Sequence, residues 1–280
     1  MGSRELVVDG VVVERGGRLQ LRCRPSPQNP ETWEVPVDEF FEEAVGCHVS
    51  LRVRVGRPHA TRPAPLDQFL PCALLVVDVQ LVHAHPDYCV SCLDGTEEQR
   101  RYFYARVRDF VVPNASALVG AFRAGGLPVV HVGYSYSAPD GSDLPPGEFA
   151  RQSAKNPWSI RHVDDEASRF LPGLQPRPDL GDVVLHKVTT STFASTRLEH
   201  VLANKGVRRL FMTGLQTDCC VQNTAFDAVQ RGYEVVCVED ACATMSEERH
   251  AAGLAAPGYH HVTTTGELLK HLEAWNSGGK

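Results

Sequence analysis

The chain of 280 residues is 42% hydrophobic and 22% charged, which is enough for one large domain or for a domain with a smaller companion. A net charge of -6 and a pI near 6.1 argue against a nucleic-acid-binding protein, which usually presents a basic surface. No apolar run reaches the roughly 18 residues that a membrane span needs. The opening residues MGSRELVVDG lack the apolar core of a signal peptide, so a cytosolic location is expected.

The nine cysteines cannot all pair within one chain, because their number is odd. Without a secretion signal, reduced thiols are the expected state. Cys89 and Cys92 form a single CxxC pair. A metal or redox site there needs a second pair or a thioredoxin-like setting, so ordinary loop or helix cysteines are the favoured interpretation.

The first part of the chain, residues 1–68, is predicted to be a small β-rich unit followed by a Pro-rich linker. ELVVDGVVVERGGRLQLRC indicates two strands around a Gly-Gly turn, and HVSLRVRV alternates as a half-buried strand does. VPVDEFFEEAVG predicts a short helix with Asp38 as N-cap and Gly46 near its end. GRPHATRPAP is typical of a linker. This unit is expected to cap a pocket, to mediate oligomerisation or to bind a partner.

Residues 69–280 are predicted to form a second domain, in which strands alternate with helices. The predicted strands are CALLVVDV, LPVVHVGYS, DVVLHKV, RRLFMTGL, EVVCVEDAC and HHVTTT. The predicted helices are a segment that Pro113 interrupts before it ends at Gly125-Gly126, then TRLEHVLANKG, CCVQNTAFDAVQRG and GELLKHLEAW. The pattern predicts an α/β fold, a doubly wound and mostly parallel sheet with sites at the carboxyl ends of its strands. The long excursion over residues 137–181 indicates a functional segment.

Three predicted strands end in reactive side chains. Asp78 ends the first strand, Lys187 ends the third, and the fourth leads into Cys219 and Cys220. Because parallel strands end at one edge of a sheet, these groups are expected to converge there. A helix N-terminus and an ammonium both favour a thiolate, and a carboxylate can accept and return its proton. Each residue alone is weak evidence, and either cysteine could equally be a small buried side chain.

These positions lie in segments that resemble the isochorismatase-like cysteine hydrolases, which include nicotinamidases, N-carbamoylsarcosine amidases and ureidoacrylate amidohydrolases. The similarity covers about residues 70–275, and its segments are ALLVVDVQ, DVVLHKVTTSTFASTRLEHVL and TGLQTDCCVQNTAFDAVQRGYEVVCVEDACAT. The matching positions are Ser191, Phe193, Thr196, Gly214, Thr217, Cys220, Val221, Thr224, Ala228 and Gly232. The resemblance implies a three-layer α/β/α fold, and a homo-oligomer is plausible on the same ground.

The resemblance also implies a role for each reactive residue. Asp78 is the expected general base and acid, Lys187 orients the site and stabilises a thiolate, and Cys220 attacks a carbonyl carbon to form a thioester. A cis peptide bond is expected at Leu215–Gln216. It directs the N–H of Gln216, together with that of Cys220, towards an oxyanion. Cys219 is the expected bystander.

Several positions depart from the family pattern. HVGYSYSAPDG has no Asp-x-His metal motif, so no metal or other cofactor is expected and nicotinamidase activity is disfavoured. His131 in that strand is interpreted as a core histidine. In DVQLVH, His83 stands where many members have a phenylalanine that lines the pocket, and whether it hydrogen-bonds a polar substrate stays open. The other pocket candidates are Tyr134, Tyr136, Trp158, Phe193 and Gln216.

Two functions compete at this point. The first is a cysteine-dependent amidohydrolase acting on the C–N bond of a small amide, carbamoyl or ureido compound, and retention of Cys220 favours it over the cysteine-free, vinyl-ether-cleaving branch. The second is a catalytically quiet member that binds a partner through its N-terminal unit. Nucleotide binding is disfavoured, because no GxGxxG or GxxxxGK[ST] motif follows a strand.

Overall fold

The computed structural model describes residues 4–15, 18–23, 34–36, 48–55, 65–88, 95–146 and 160–277. The chain divides into two compact units, Met1–Arg62 and Pro63–Lys280. Some expectations lie outside the described residues, namely the Gly-Gly turn, the Asp38–Gly46 helix, most of the Pro-rich linker, the Cys89/Cys92 pair and Trp158.

The first unit contains an antiparallel sheet. Its strands are β1 (Arg4–Arg15), β2 (Arg18–Cys23), β3 (Glu34–Pro36) and β4 (His48–Val55). They are arranged in the order β3-β2-β1-β4. The pairing of β1 with β2 closes at Arg15 opposite Arg18, which confirms the two strands predicted around the glycine pair. β4 is the predicted HVSLRVRV strand, whereas the three-residue β3 was not predicted.

The second unit contains a seven-stranded sheet in which every described strand pair is parallel. Its strands are β5 (Cys72–Val77), β6 (Val129–Tyr136), β7 (Arg161–His162), β8 (Val183–Lys187), β9 (Arg209–Leu215), β10 (Glu234–Ala243) and β11 (His261–Thr263). The order is β11-β10-β9-β5-β6, and β6 pairs with β8 along its length and with β7 at its end. All six predicted strands are confirmed, and β7 is a short addition within the excursion.

Helices connect these strands. They are α1 (Leu81–Ala84), α2 (Glu97–Arg106), α3 (Val112–Ala124), α4 (Thr192–Ser195), α5 (Leu198–Asn204), α6 (Cys220–Gln230), α7 (Glu247–Leu254) and α8 (Thr265–Ser277). The expected interruption at Pro113 is wrong. A π-helical turn over Val107–Val111 joins α2 to α3, and Pro113 lies in the first turn of α3, where its missing N–H is least costly.

Hydrophobic side chains fill both faces of this sheet, so the helices cover it on two sides. Every residue of β5 is buried, and its side chains alternate between two core clusters, with Leu74 in one and Leu75 in the other. This explains why the strand is a continuous apolar run in the sequence. No helix in the described part of the chain has the length and apolar character to cross a membrane.

Candidate active site

Asp78 lies at the carboxyl end of β5 and is almost fully buried. Its backbone adopts a positive φ of 56°, which is uncommon for a residue other than glycine. Its N–H donates to the carbonyl of Val132 in β6 at 2.8 Å. The backbone therefore leaves the strand through an unusual conformation at the position where the carboxylate is needed. Backbone outliers of this kind concentrate at functional sites.

Lys187 is the last residue of β8, and its side chain is fully buried. Its Nζ lies 2.8 Å from Oδ2 of Asp78 and donates to the carbonyl of Thr189 at 3.1 Å. The ring of Tyr134 packs against the same ammonium, with 4.2 Å between Nζ and the ring centroid. A carboxylate, a carbonyl and an aromatic face therefore compensate the burial of this charge.

Cys220 is the first residue of α6, and its Sγ accepts a hydrogen bond from Lys187 Nζ at 3.2 Å. The structure thus brings together the three side chains expected to be catalytic, Asp78, Lys187 and Cys220, with the ammonium between the other two. The first N–H groups of a helix have no partner within the helix, so the N–H of Cys220 is suited to bind an oxyanion.

The turn before Cys220 is closely packed. The Leu215–Gln216 peptide bond is cis, and the Gln216 carbonyl accepts hydrogen bonds from the N–H of Cys219 at 3.0 Å and of Val221 at 3.2 Å. Gly214, with a φ of 112°, lies so close to β5 that a Cβ atom would sit 2.1 Å from a backbone oxygen. Only glycine permits this approach of β9 to β5.

Two side chains outside the sequence motifs hold the same turn. His250 in α7 contacts Thr217, with 2.8 Å between Nδ1 and Oγ1, and its Nε2 lies 2.8 Å from Arg106. Arg249 donates to Asp218 at 2.6 Å. Sequence reasoning missed α7, although Ser246 is a typical N-cap and accepts from the N–H of Arg249. A single sequence carries no signal that pairs His250 with Thr217.

The residues that follow Lys187 fasten α4 to α6. The Ser191 hydroxyl donates to the Asp227 carboxylate, and the hydroxyls of Thr192 and Thr224 lie 3.1 Å apart. Thr196 donates to the carbonyl of Thr192 at 2.7 Å. Several positions of the matching pattern therefore align the segment after Lys187 with the helix that begins at Cys220.

Burial governs the protonation of the Asp78–Lys187 pair. It raises the pKa of Asp78 to about 8, although the ammonium of Lys187 acts in the opposite direction. Burial alone would lower the pKa of Lys187, but Asp78 and Cys220 outweigh it and the pKa is raised. At neutral pH Lys187 is therefore an ammonium, and Asp78 carries a proton for much of the time.

The adjacent thiols divide one hydrogen bond between them. The contact with Cys219 and burial raise the pKa of Cys220 well above its ordinary value, and the opposing effects of Lys187 and of a hydrogen bond to Asp78 do not offset them. The bond from Cys220 lowers the pKa of the less buried Cys219 to about 7. The expected stabilisation of a Cys220 thiolate by Lys187 is present but is outweighed, so the resting group is a thiol that needs a base.

The pocket candidates have different surroundings. His83 stacks on Tyr134, whose ring reaches Lys187, so both lie at the site. Phe193 packs against Tyr233 with 5.9 Å between ring centroids, and Tyr136 packs against His162, which are ordinary packing contacts. Gln216 is partly exposed. His131 is fully buried and lies 3.1 Å from Asp182, as expected of a core histidine.

Gln80 is a further residue of the site that sequence reasoning did not single out. Its fully buried amide accepts from the N–H of Tyr134 at 2.7 Å and donates to the carbonyl of Ser168 at 2.7 Å and the hydroxyl of Ser135 at 3.0 Å. These bonds connect the end of β5, the end of β6 and the excursion. Gln80 therefore holds Tyr134 in place beside Lys187.

Comparison with known proteins identifies the family. The isochorismatase domain matches residues 72–267. The ureidoacrylate amidohydrolase RutB of Methylobacterium radiotolerans is 29% identical over 81% of this chain and 86% of its own. A crystal structure of a cysteine hydrolase from Pseudomonas syringae pv. phaseolicola is 25% identical over 79% of this chain and 99% of its own, with a TM-score of 0.61. The N-carbamoylsarcosine amidase of Thermoplasma acidophilum is 27% identical over 70% of this chain and 97% of its own, with a TM-score of 0.53. The chain therefore belongs to the isochorismatase family of hydrolases.

Proposed function

We propose that this hydrolase is a cysteine-dependent amidohydrolase, which cleaves the C–N bond of a small amide, carbamoyl or ureido compound through a thioester. One observation carries the proposal: the buried ammonium of Lys187 lies 2.8 Å from Oδ2 of Asp78 and 3.2 Å from Sγ of Cys220. A base, a charged positioning group and a nucleophile are thus in contact. Two of the compared relatives are named for ureido and carbamoyl substrates.

The first half of the reaction forms the thioester. Asp78 takes the proton of the Cys220 thiol, and Sγ attacks the carbonyl carbon of the substrate. The N–H groups of Gln216 and Cys220 bind the oxyanion of the tetrahedral intermediate. When the intermediate collapses, Asp78 gives the proton to the leaving nitrogen. The C–N bond breaks, ammonia or an amine departs, and the acyl group stays on Cys220.

The second half releases the acid. Asp78, again a carboxylate, takes a proton from water, and the hydroxide oxygen attacks the thioester carbon. The C–S bond then breaks, and Cys220 recovers its proton from Asp78. Lys187 stays an ammonium throughout, because burial between two anionic partners holds its pKa high. Its role is to position Asp78 and to balance the negative charge that moves between Asp78 and Cys220.

Ammonia release tests this function. Primary amides, N-carbamoyl amino acids and ureido acids are incubated with the wild-type enzyme, with Cys220→Ala and with Cys219→Ala. We expect at least one compound to be hydrolysed by the wild type and by Cys219→Ala, and none by Cys220→Ala. Ammonia release that persists in Cys220→Ala contradicts the mechanism. Failure of the wild type on all three classes favours the quiet, partner-binding alternative.

A further inference from the structure

His83 lies at the site but has no role in the mechanism above. It belongs to α1, which begins directly after Gln80. Its ring stacks on that of Tyr134, with 5.8 Å between the centroids and 30° between the planes. Tyr134 in turn packs against the ammonium of Lys187. His83 is thus separated from the catalytic lysine by one aromatic ring, on a wall of the site that Gln80 holds in position.

The imidazole of His83 is neutral. Burial lowers its pKa to about 4, although Asp78 acts to raise it. His83 also makes a hydrogen bond to the backbone of Tyr134. A neutral imidazole has one N–H, and the nitrogen that donates to a carbonyl carries it, so the other ring nitrogen is an acceptor. The wall beside Lys187 therefore presents an acceptor where a phenylalanine would present only carbon.

We propose that His83 is a specificity-determining residue, which accepts a hydrogen bond from a substrate N–H next to the scissile carbonyl. The favoured substrate class is then the carbamoyl or ureido group, in which a second nitrogen is bonded to that carbonyl, rather than the simple amide, in which a methylene takes its place. A methylene there leaves the acceptor facing carbon, and an unmatched buried polar group costs more than a hydrogen bond contributes. This inference rests on the proposed function and deepens it.

Matched substrates isolate this hydrogen bond. N-carbamoyl-β-alanine and glutaramate differ only in one N–H replaced by a methylene, and N-carbamoylglycine and succinamate form a shorter pair. The readout is the ratio of kcat/KM for the ureido compound to that for the amide, because intrinsic reactivity cancels when ratios are compared between variants. We expect His83→Phe to lower the ratio about tenfold or more, and His83→Gln, which keeps an acceptor, to retain part of it. His85→Phe, a change at the exposed end of the same helix, is the control and leaves the ratio unchanged.

A binding measurement separates this inference from the proposed function. Dissociation constants of both pairs are measured by calorimetry in a Cys220→Ala background, with and without His83→Phe. If the wild type hydrolyses both members of a pair and His83→Phe leaves the ratios of kcat/KM and of Kd within twofold, the inference fails while the function stands. If nothing is hydrolysed but His83→Phe abolishes a preference for the ureido ligand, the function fails while the inference stands. If no ureido preference exists in either assay, the inference is overturned.

Discussion

At the scale of single residues, the site is a problem of burying charge. Asp78, Lys187 and Cys220 share one set of protons in surroundings nearly closed to water. Burial makes the carboxyl a weak acid and the thiol a weaker one, and the ammonium keeps both ionised forms accessible. A base with a pKa near the working pH both accepts and returns a proton efficiently, which is what a two-step hydrolysis asks of Asp78.

The raised pKa of Asp78 predicts the pH dependence of catalysis. The carboxylate is the form that removes the thiol proton, and it becomes dominant only above a pKa of about 8. We expect kcat/KM to rise as the pH increases and to level off near that value, falling about tenfold per pH unit below it. Initial rates measured from pH 5 to 9 on the best substrate of the screen decide this. An acidic limb centred near pH 4, the ordinary range of an aspartate, contradicts the assignment.

At the scale of elements, the site depends on how closely β9 approaches β5. Both strands are buried on two faces, and they pair in parallel from Cys72 opposite Arg209 to Val77 opposite Gly214. The last of these pairs lies directly before the two catalytic ends, so the contact at Gly214 sets the distance between Asp78 and the turn that carries Cys220.

Replacing Gly214 by alanine tests this contact. The added Cβ would overlap the backbone of Val77, and the residue would keep a φ that disfavours a side chain. We expect Gly214→Ala to lower the free energy of unfolding by about 3 kcal/mol or more. Gly266→Ala is the matched control, because Gly266 lies in α8 with open space around it, and there alanine leaves stability unchanged or raises it by up to about 1 kcal/mol. Urea denaturation measures both, and equal effects of the two substitutions would show that the contact is unimportant.

Elements with a strong local signal were predictable from the sequence. Continuous apolar runs marked all six of the longer strands of the second unit, and their order of ends placed Asp78, Lys187 and Cys220 at one edge. The π-helical turn before Pro113 was not predictable, because a proline inside a helical pattern indicates a break as readily as an adjustment. The contact of His250 with Thr217 depends on how α7 packs, which no local pattern encodes.

At the scale of the whole molecule, we propose that the two units are separate domains. All the residues of the candidate site lie within Pro63–Lys280, the second unit. Residues at its start also pack within it. The fully buried guanidinium of Arg209 pairs with Glu234 and donates to the carbonyls of Gln68 at 2.9 Å and Pro65 at 3.2 Å. The segment before β5 therefore belongs to the stability of the hydrolase unit.

Two truncations test this division. A chain that begins at Pro63 keeps both carbonyl acceptors of Arg209, and we expect it to fold and to retain the kcat of the full chain. A chain that begins at Cys72 removes them and leaves a buried charged group with fewer partners, at a cost of about 1.5–3 kcal/mol for each bond. Thermal denaturation and ammonia release compare the two. Equal stability of both chains contradicts the role given to residues 65–68, and loss of activity in the longer one contradicts the division.

The central claim is that Cys220 carries the acyl group, and mass spectrometry of the enzyme quenched in acid during turnover tests it most directly. The account predicts that the peptide containing Cys219 and Cys220 gains the mass of the acyl group, that fragmentation places it on Cys220, and that the gain persists in Cys219→Ala and is absent from Cys220→Ala. An adduct on Cys219, or full turnover by Cys220→Ala, contradicts it.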